Sequence, residues 1–161
     1  MQFCNLKLKI NNIFESKLAM ISCAESCTGG MLAGALTDLP GSSAVFDRGF
    51  VTYSNKAKIE MLGVQEKTLV KYGAVSEEVA QEMARGALYR SLASLAISIT
   101  GIAGPGGSDF KPEGRVCFAL ALKNYRHIEQ TLDFGAIGRA KVREASCKFA
   151  LEMIIKEGQH L

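Results

Sequence analysis

Apolar positions along the chain follow two alternating periods, and the alternation predicts helices interleaved with strands. Leu6, Ile10, Ile13 and Phe14 repeat at helical spacing, and Leu18–Ala24 is then an apolar run of the length a buried strand takes. Ser26 or Thr28 is placed to start a second helix with the stripe Met31, Leu32, Ala35, Leu36 and Leu39, which Pro40 stops. Phe46–Tyr53 reads as a strand. Asn55 is positioned to cap a short helix ending at Leu62, with Gly63 behind it. Ser76, followed by Glu77 and Glu78, opens a longer helix whose inward side is Val79, Ala80, Met83, Ala87 and Leu88. The two carboxylates stand where a helix dipole favours them. Leu92–Ile99 is the most apolar stretch and yields a strand at Leu95–Thr100. Val116–Leu122 and Ile128–Phe134 flank Lys123-Asn124-Tyr125-Arg126 as a hairpin. Gly135–Gly138 leads into a last helix with Val142, Ala145, Phe149 and Met153 turned inward. Helices interleaved with strands and closed by a hairpin predict an α/β fold: a three-layer α/β/α sandwich with a mixed, largely parallel sheet, in one domain over residues 1–161.

Composition narrows the function classes. With 48% hydrophobic and 22% charged residues in 161, the chain is an ordinary globular mixture, not a disordered one. Nineteen Lys+Arg against 16 Asp+Glu leave a net charge of +3, too small to argue for nucleic acid. No run approaches the roughly 18 apolar residues of a membrane span. The start, MQFCNLKLKINN, lacks the apolar core and cleavage site of a secretory signal, and the five cysteines are odd in number and widely spaced. Thiols in a reducing cytoplasm are therefore expected rather than disulfides. Two histidines and the spacing of Cys23 and Cys27 nominate no metal site, and no motif asks for a cofactor. Sixteen glycines against three prolines are the unusual figure, and their placement matters.

Three loops follow predicted strands. Ala24-Glu25-Ser26-Cys27-Thr28-Gly29-Gly30 runs from a strand into a helix, which presents Ser26 at a sheet edge near free N–H groups able to hold an oxyanion or phosphate. The plainer alternative is that Ser26 or Thr28 merely caps the helix. Val51-Thr52-Tyr53-Ser54-Asn55-Lys56-Ala57-Lys58 supplies two lysines, and a lysine serves as base where burial lowers its pKa. Lys58, three residues past Asn55, points back toward the helix start, and Tyr53 is able to relay a hydrogen bond; surface lysines are the plain alternative. Thr100-Gly101-Ile102-Ala103-Gly104-Pro105-Gly106-Gly107 lets backbone N–H groups approach an anion, or is simply a long turn. If the three preceding strands are parallel, these loops meet at one carboxyl edge, where open α/β sheets bind ligands. Arg139, Lys141 and Arg143 crowd the start of the last helix against its dipole, which suits a bound anion or a solvated basic face. A Ser, a Lys and a glycine nest at one edge describe a hydrolase for a small phosphorylated amide or ester.

AESCTGG, GSSAVFDRGFVTYSNKAK, LGV, YGAVSEEVA, ITGIAGPGG and KPEGRVCFAL, in order from Ala24, resemble the CinA C-terminal domain family, in particular its stand-alone nicotinamide-nucleotide amidases. The resemblance implies a three-layer α/β/α domain that hydrolyses the carboxamide of nicotinamide mononucleotide to nicotinate mononucleotide and ammonia, without metal or cofactor. It places the serine nucleophile on Ser26, the lysine base on Lys58 and a supporting residue on Tyr53. Substrate contacts fall on Cys27, Thr28, Gly29, Thr100, Gly101 and Gly104, with a phosphate-binding arginine at Arg139 or Arg143. Lys56 stands where relatives often carry Glu. Gly135-Ala136-Ile137-Gly138 departs from the Gly-Asp of relatives before that arginine. The family implies a homodimer; longer relatives carry a separate N-terminal nucleotide-hydrolysing domain, for which this length leaves no room. Two other classes compete: a non-catalytic nucleotide- or partner-binding module of the same fold, and a thiol enzyme using Cys27.

Overall fold

A computed structural model describes residues 2–161. The elements are α1 (Cys4–Ser16), β1 (Ile21–Glu25), α2 (Met31–Thr37), β2 (Phe46–Val51), α3 (Asn55–Leu62), α4 (Glu66–Tyr72), α5 (Glu77–Tyr89), β3 (Leu95–Gly101), β4 (Arg115–Leu122), β5 (His127–Asp133) and α6 (Arg139–Gly158). The five strands form one mixed sheet in the order β2-β1-β3-β4-β5. β1 pairs in parallel with β2 and β3, while β4 and β5 add on as the anticipated antiparallel hairpin.

Alternation along the strands explains why the two faces carry different helices. Ile21, Cys23, Leu95, Ile97, Ile99, Val116, Phe118 and Leu120 build a thick apolar layer with α1, α2 and α6. Positions of the opposite parity are small: Ala96 meets Leu62, Val79 and Met83, while Cys117, Ala119 and Ala121 meet Ala80 and Ala84. Small side chains let α5 lie close on the sheet, and the Ser98 hydroxyl donates to the Ala80 carbonyl across that contact. Gly86 brings α5 equally close to α3, since a Cβ there would stand only 2.0 Å from the Leu62 carbonyl oxygen.

Local departures from the sequence reading have physical causes. α3 is capped by Ser54, whose hydroxyl accepts the Ala57 N–H, so Asn55 is the first helical residue rather than the cap. The run beginning at Leu18 spends its first residues in a turn, and Leu18 itself is exposed at a φ of 50°. The strand predicted to end at Tyr53 ends at Val51. α4 lies in a stretch without an apolar stripe; its docking rests on Leu69, and on Glu82 of α5, which accepts from the Thr68 hydroxyl and the Gln65 N–H. On α6 the buried side is Val142, Ser146, Cys147, Ala150, Leu151, Met153 and Ile154, so Ala145 and Phe149 flank it half-buried instead of leading it. Among the described residues, no helix is long and apolar enough to cross a membrane.

Candidate active site

The parallel strands β2 and β1 end level, Glu25 standing opposite Val51 on one side and Ile99 on the other, and β3 runs two residues further. Two ladder hydrogen bonds carry the register beyond the strands: Ser26 N–H to Ile99 O at 2.9 Å and Thr52 N–H to Glu25 O at 2.8 Å. The three loops singled out in sequence therefore leave the sheet side by side. Between them lies a cleft of about 320 Å³ whose walls include Ser26, Cys27, Tyr53, Asn55, Lys58, Thr100, Gly101, Gly104 and Arg139. This volume is at the lower end of small-ligand pockets.

Lys58 is only 1% exposed, although it stands on a short eight-residue helix most of whose other residues are exposed. Its ammonium reaches back past the helix start to lie 3.0 Å from Ser26 Oγ and 3.0 Å from the Thr52 carbonyl. Burial lowers its pKa from the ordinary lysine value, with the neighbouring Cys27 thiol pulling weakly the other way. A lysine that is desolvated, hydrogen-bonded to a serine hydroxyl and short of a carboxylate partner is equipped to take up that hydroxyl's proton. Lys56, by contrast, is exposed and pairs with Glu60 one turn on. Cys27 also lines the cleft, but burial pushes its thiol up to about 12, which leaves it protonated and a poor nucleophile at neutral pH.

The serine is held in place from below by Glu25, which the sequence reading passed over. Its carboxylate is completely buried and accepts the N–H groups of Gly30 (3.1 Å), Leu32 (3.1 Å) and Ala33 (2.8 Å). It thus performs the capping of α2 that had been assigned to Ser26 or Thr28, and it leaves the Ser26 hydroxyl free for Lys58. Gly30, not a hydroxyl residue, occupies the cap position. A signal was present in the sequence: a carboxylate directly before a turn that opens a helix is well placed against its free N–H groups.

The remaining predicted residues divide between cleft and scaffold. Tyr53, from the end of β2, is exposed and its hydroxyl accepts from Arg139 at 2.9 Å; Arg139 also donates to the Gly104 carbonyl at 2.9 Å. The Thr100 hydroxyl donates to Ala74 O at 2.8 Å, fixing the Gly73–Val75 segment that forms another wall. Gly104 has a φ of +89°, and a Cβ on it would overlap the Glu113 carboxylate. That glycine serves the loop's fit to its own return strand as well as its exposure to the cleft. Thr28 is fully buried and its Oγ1 has no hydrogen-bond partner among the described residues. The Thr28 side chain is buried and Arg143 does not line the cleft; its guanidinium donates to the serine loop's Cys27 O (3.1 Å) and Thr28 O (3.0 Å). Asn55 and the Ala74-Val75 pair line the cleft without having been expected to.

Comparison with known proteins identifies relatives of the whole fold. A family model described as the CinA C-terminal domain matches residues 4–157. The nicotinamide-nucleotide amidohydrolase PncC of Enterobacter agglomerans is 50% identical over 153 residues, covering 94% of this chain and 93% of its own length. A putative competence-damage inducible protein of Caldicellulosiruptor saccharolyticus is 52% identical over 138 residues, but the match spans only 33% of that longer relative. The crystal structure of the competence/damage inducible protein CihA from Agrobacterium tumefaciens superposes with a TM-score of 0.92 at 52% identity, covering 94% of this chain and 93% of that one.

Proposed function

Since the chain belongs to the CinA C-terminal domain family, we propose that it hydrolyses the carboxamide of nicotinamide mononucleotide to nicotinate mononucleotide and ammonia, with Ser26 as nucleophile and Lys58 as base. The observation that carries the mechanism is the buried Lys58 ammonium nitrogen 3.0 Å from Ser26 Oγ. The substrate is drawn from the near full-length relative that bears the amidohydrolase name.

In this reading Lys58, as free amine, takes the Ser26 proton while Oγ attacks the amide carbon. The oxyanion that forms is met by the N–H groups of Cys27 and Thr28, which donate to no carbonyl, carboxylate or hydroxyl among the described residues. Lys58 then passes its proton to the departing nitrogen, and ammonia leaves an ester on Ser26. Water, deprotonated by the same amine, attacks the ester; the acid departs and Ser26 regains its proton. Arg139, at the rim of the cleft on the first residue of α6, is assigned to the phosphate, with Tyr53 holding its guanidinium in place. Ammonia release from the mononucleotide tests the assignment. Wild-type protein should release ammonia, and Ser26→Ala and Lys58→Ala should each lower turnover by at least about a thousandfold. Turnover retained in both variants would remove the serine–lysine pair. Ligand-induced thermal stabilisation with no ammonia from any pyridine nucleotide would leave a binding module instead.

A further inference from the structure

We infer that Arg143 is a positioning residue that aims and polarises the Thr28 N–H, one of the two peptide donors assigned to the oxyanion, rather than a ligand of the substrate's phosphate. The inference rests on Ser26 being the nucleophile. Both of its recorded hydrogen bonds run to main-chain carbonyls of the serine loop: Nε to Cys27 O at 3.1 Å and a terminal nitrogen to Thr28 O at 3.0 Å. It does not line the cleft, whereas Arg139, one helical turn earlier, does. A trans peptide places its C=O and N–H on opposite sides of one plane. Drawing the Cys27 carbonyl toward α6 therefore turns the Thr28 N–H away from α6. The same constraint on the Thr28 carbonyl directs the Gly29 N–H to Ser26 O at 3.1 Å, which closes the turn.

Two further observations favour this role over plain packing. The N–H groups at the start of α2 are taken by Glu25, so that helix end has little left to offer an oxyanion and the loop's own amides must serve. A charge-assisted bond to a carbonyl also shifts electron density toward oxygen and makes the N–H of that peptide a stronger donor. Gly29, which follows these two peptides, has a φ of +58°, a left-handed backbone that favours glycine.

A fluorophosphonate probe tests this without relying on the substrate assignment. Ser26 Oγ forms a bond to phosphorus, fluoride leaves, the serine proton passes to Lys58, and the phosphoryl oxygen occupies the oxyanion position. Labelling of Ser26 should slow by about tenfold to a hundredfold in Arg143→Gln, recover partly in Arg143→Lys, and stay near wild type in Lys56→Gln, whose side chain is exposed and paired with Glu60. With the mononucleotide, Arg143→Gln should lower kcat and leave KM within about threefold, while Arg139→Gln raises KM. Melting curves establish that each variant is folded; if Arg143→Gln is not, Arg143→Lys, which keeps the charge without the fork, carries the comparison. Wild-type labelling rates in both Arg143 variants, or a raised KM at unchanged kcat, would overturn the inference. Labelling of wild-type Ser26 without ammonia release would sink the substrate assignment alone. No labelling at Ser26 in wild type would sink both.

Discussion

Replacing Glu25 by Gln changes one atom and should be among the most damaging conservative substitutions in the chain. The carboxylate has two oxygens that between them accept three main-chain N–H groups, at 2.8, 3.1 and 3.1 Å, in complete burial. An amide keeps one acceptor. If that oxygen stays with Gly30 and Leu32, the new NH2 group faces the Ala33 N–H, and one buried donor is left unpaired at about 1–3 kcal/mol. The two surviving bonds lose their charge assistance, and the positive end of α2 loses its counter-charge, for roughly 0.5–2 kcal/mol more. Together these come to about 2–5 kcal/mol. For a chain of this length that corresponds to roughly 5–15 °C in melting temperature. Thermal melts followed by circular dichroism, paired with urea titration, give the number directly. A fall below about 3 °C would refute the idea that the Glu25 charge holds the turn, and would leave it as a shape-filling side chain.

Four other outcomes follow from named contacts. Because burial lowers the Lys58 pKa, kcat/KM should rise with pH to a plateau whose midpoint lies below the ordinary lysine value of 10.5; a profile flat from pH 6 to 10 would contradict Lys58 as base. The native protein binds fewer protons than the unfolded chain between those two pKa values, so this group's contribution to stability rises with pH across that window and is lost as pH falls. Urea titrations of wild type and Lys58→Met across that range should differ in slope. With the Cys27 thiol at about 12, only on the order of one molecule in ten thousand is thiolate at pH 8, so iodoacetamide at neutral pH should leave turnover intact and Cys27→Ser should keep most of it. Tyr53→Phe removes only the acceptor for Arg139, and a KM raised several-fold at nearly unchanged kcat is the expected reading from initial rates.

What could be read in the sequence was whatever depends on local pattern. Strands β3 and β4 and helices α1 and α5 follow from periodicity because each buries one consistent stripe or run, and β5 follows as the hairpin partner that half-buries Ile128 and Leu132. The convergence of three loops follows once β1, β2 and β3 are taken as parallel, which brings Ser26 and the lysines of the second loop to one edge; only the family resemblance singles out Lys58 over Lys56. α4 escaped because its docking depends on Glu82, a residue of another helix, and no window of sequence contains both. Glu25 escaped for a related reason: its charge is read as polar until burial by the sheet is known, and hydroxyl residues beside it looked like better caps. The two arginines at the start of α6 were indistinguishable in sequence, because which carbonyl each meets is decided by the turn geometry of two other loops.

The contact between Gly86 and Leu62 has a reach beyond packing. α3 carries Lys58, and its far end rests on the backbone of α5 at a position that has no side chain. A methyl group at residue 86 has nowhere to go except by lifting α3, and the lysine rides on that helix as the arm of a lever rides on its pivot. The spacing between amine and hydroxyl is therefore set partly from the opposite end of the helix, by an atom the chain does not have. A mutation there would register as lost chemistry as well as lost packing, and a screen for activity alone would place residue 86 in a site it never touches.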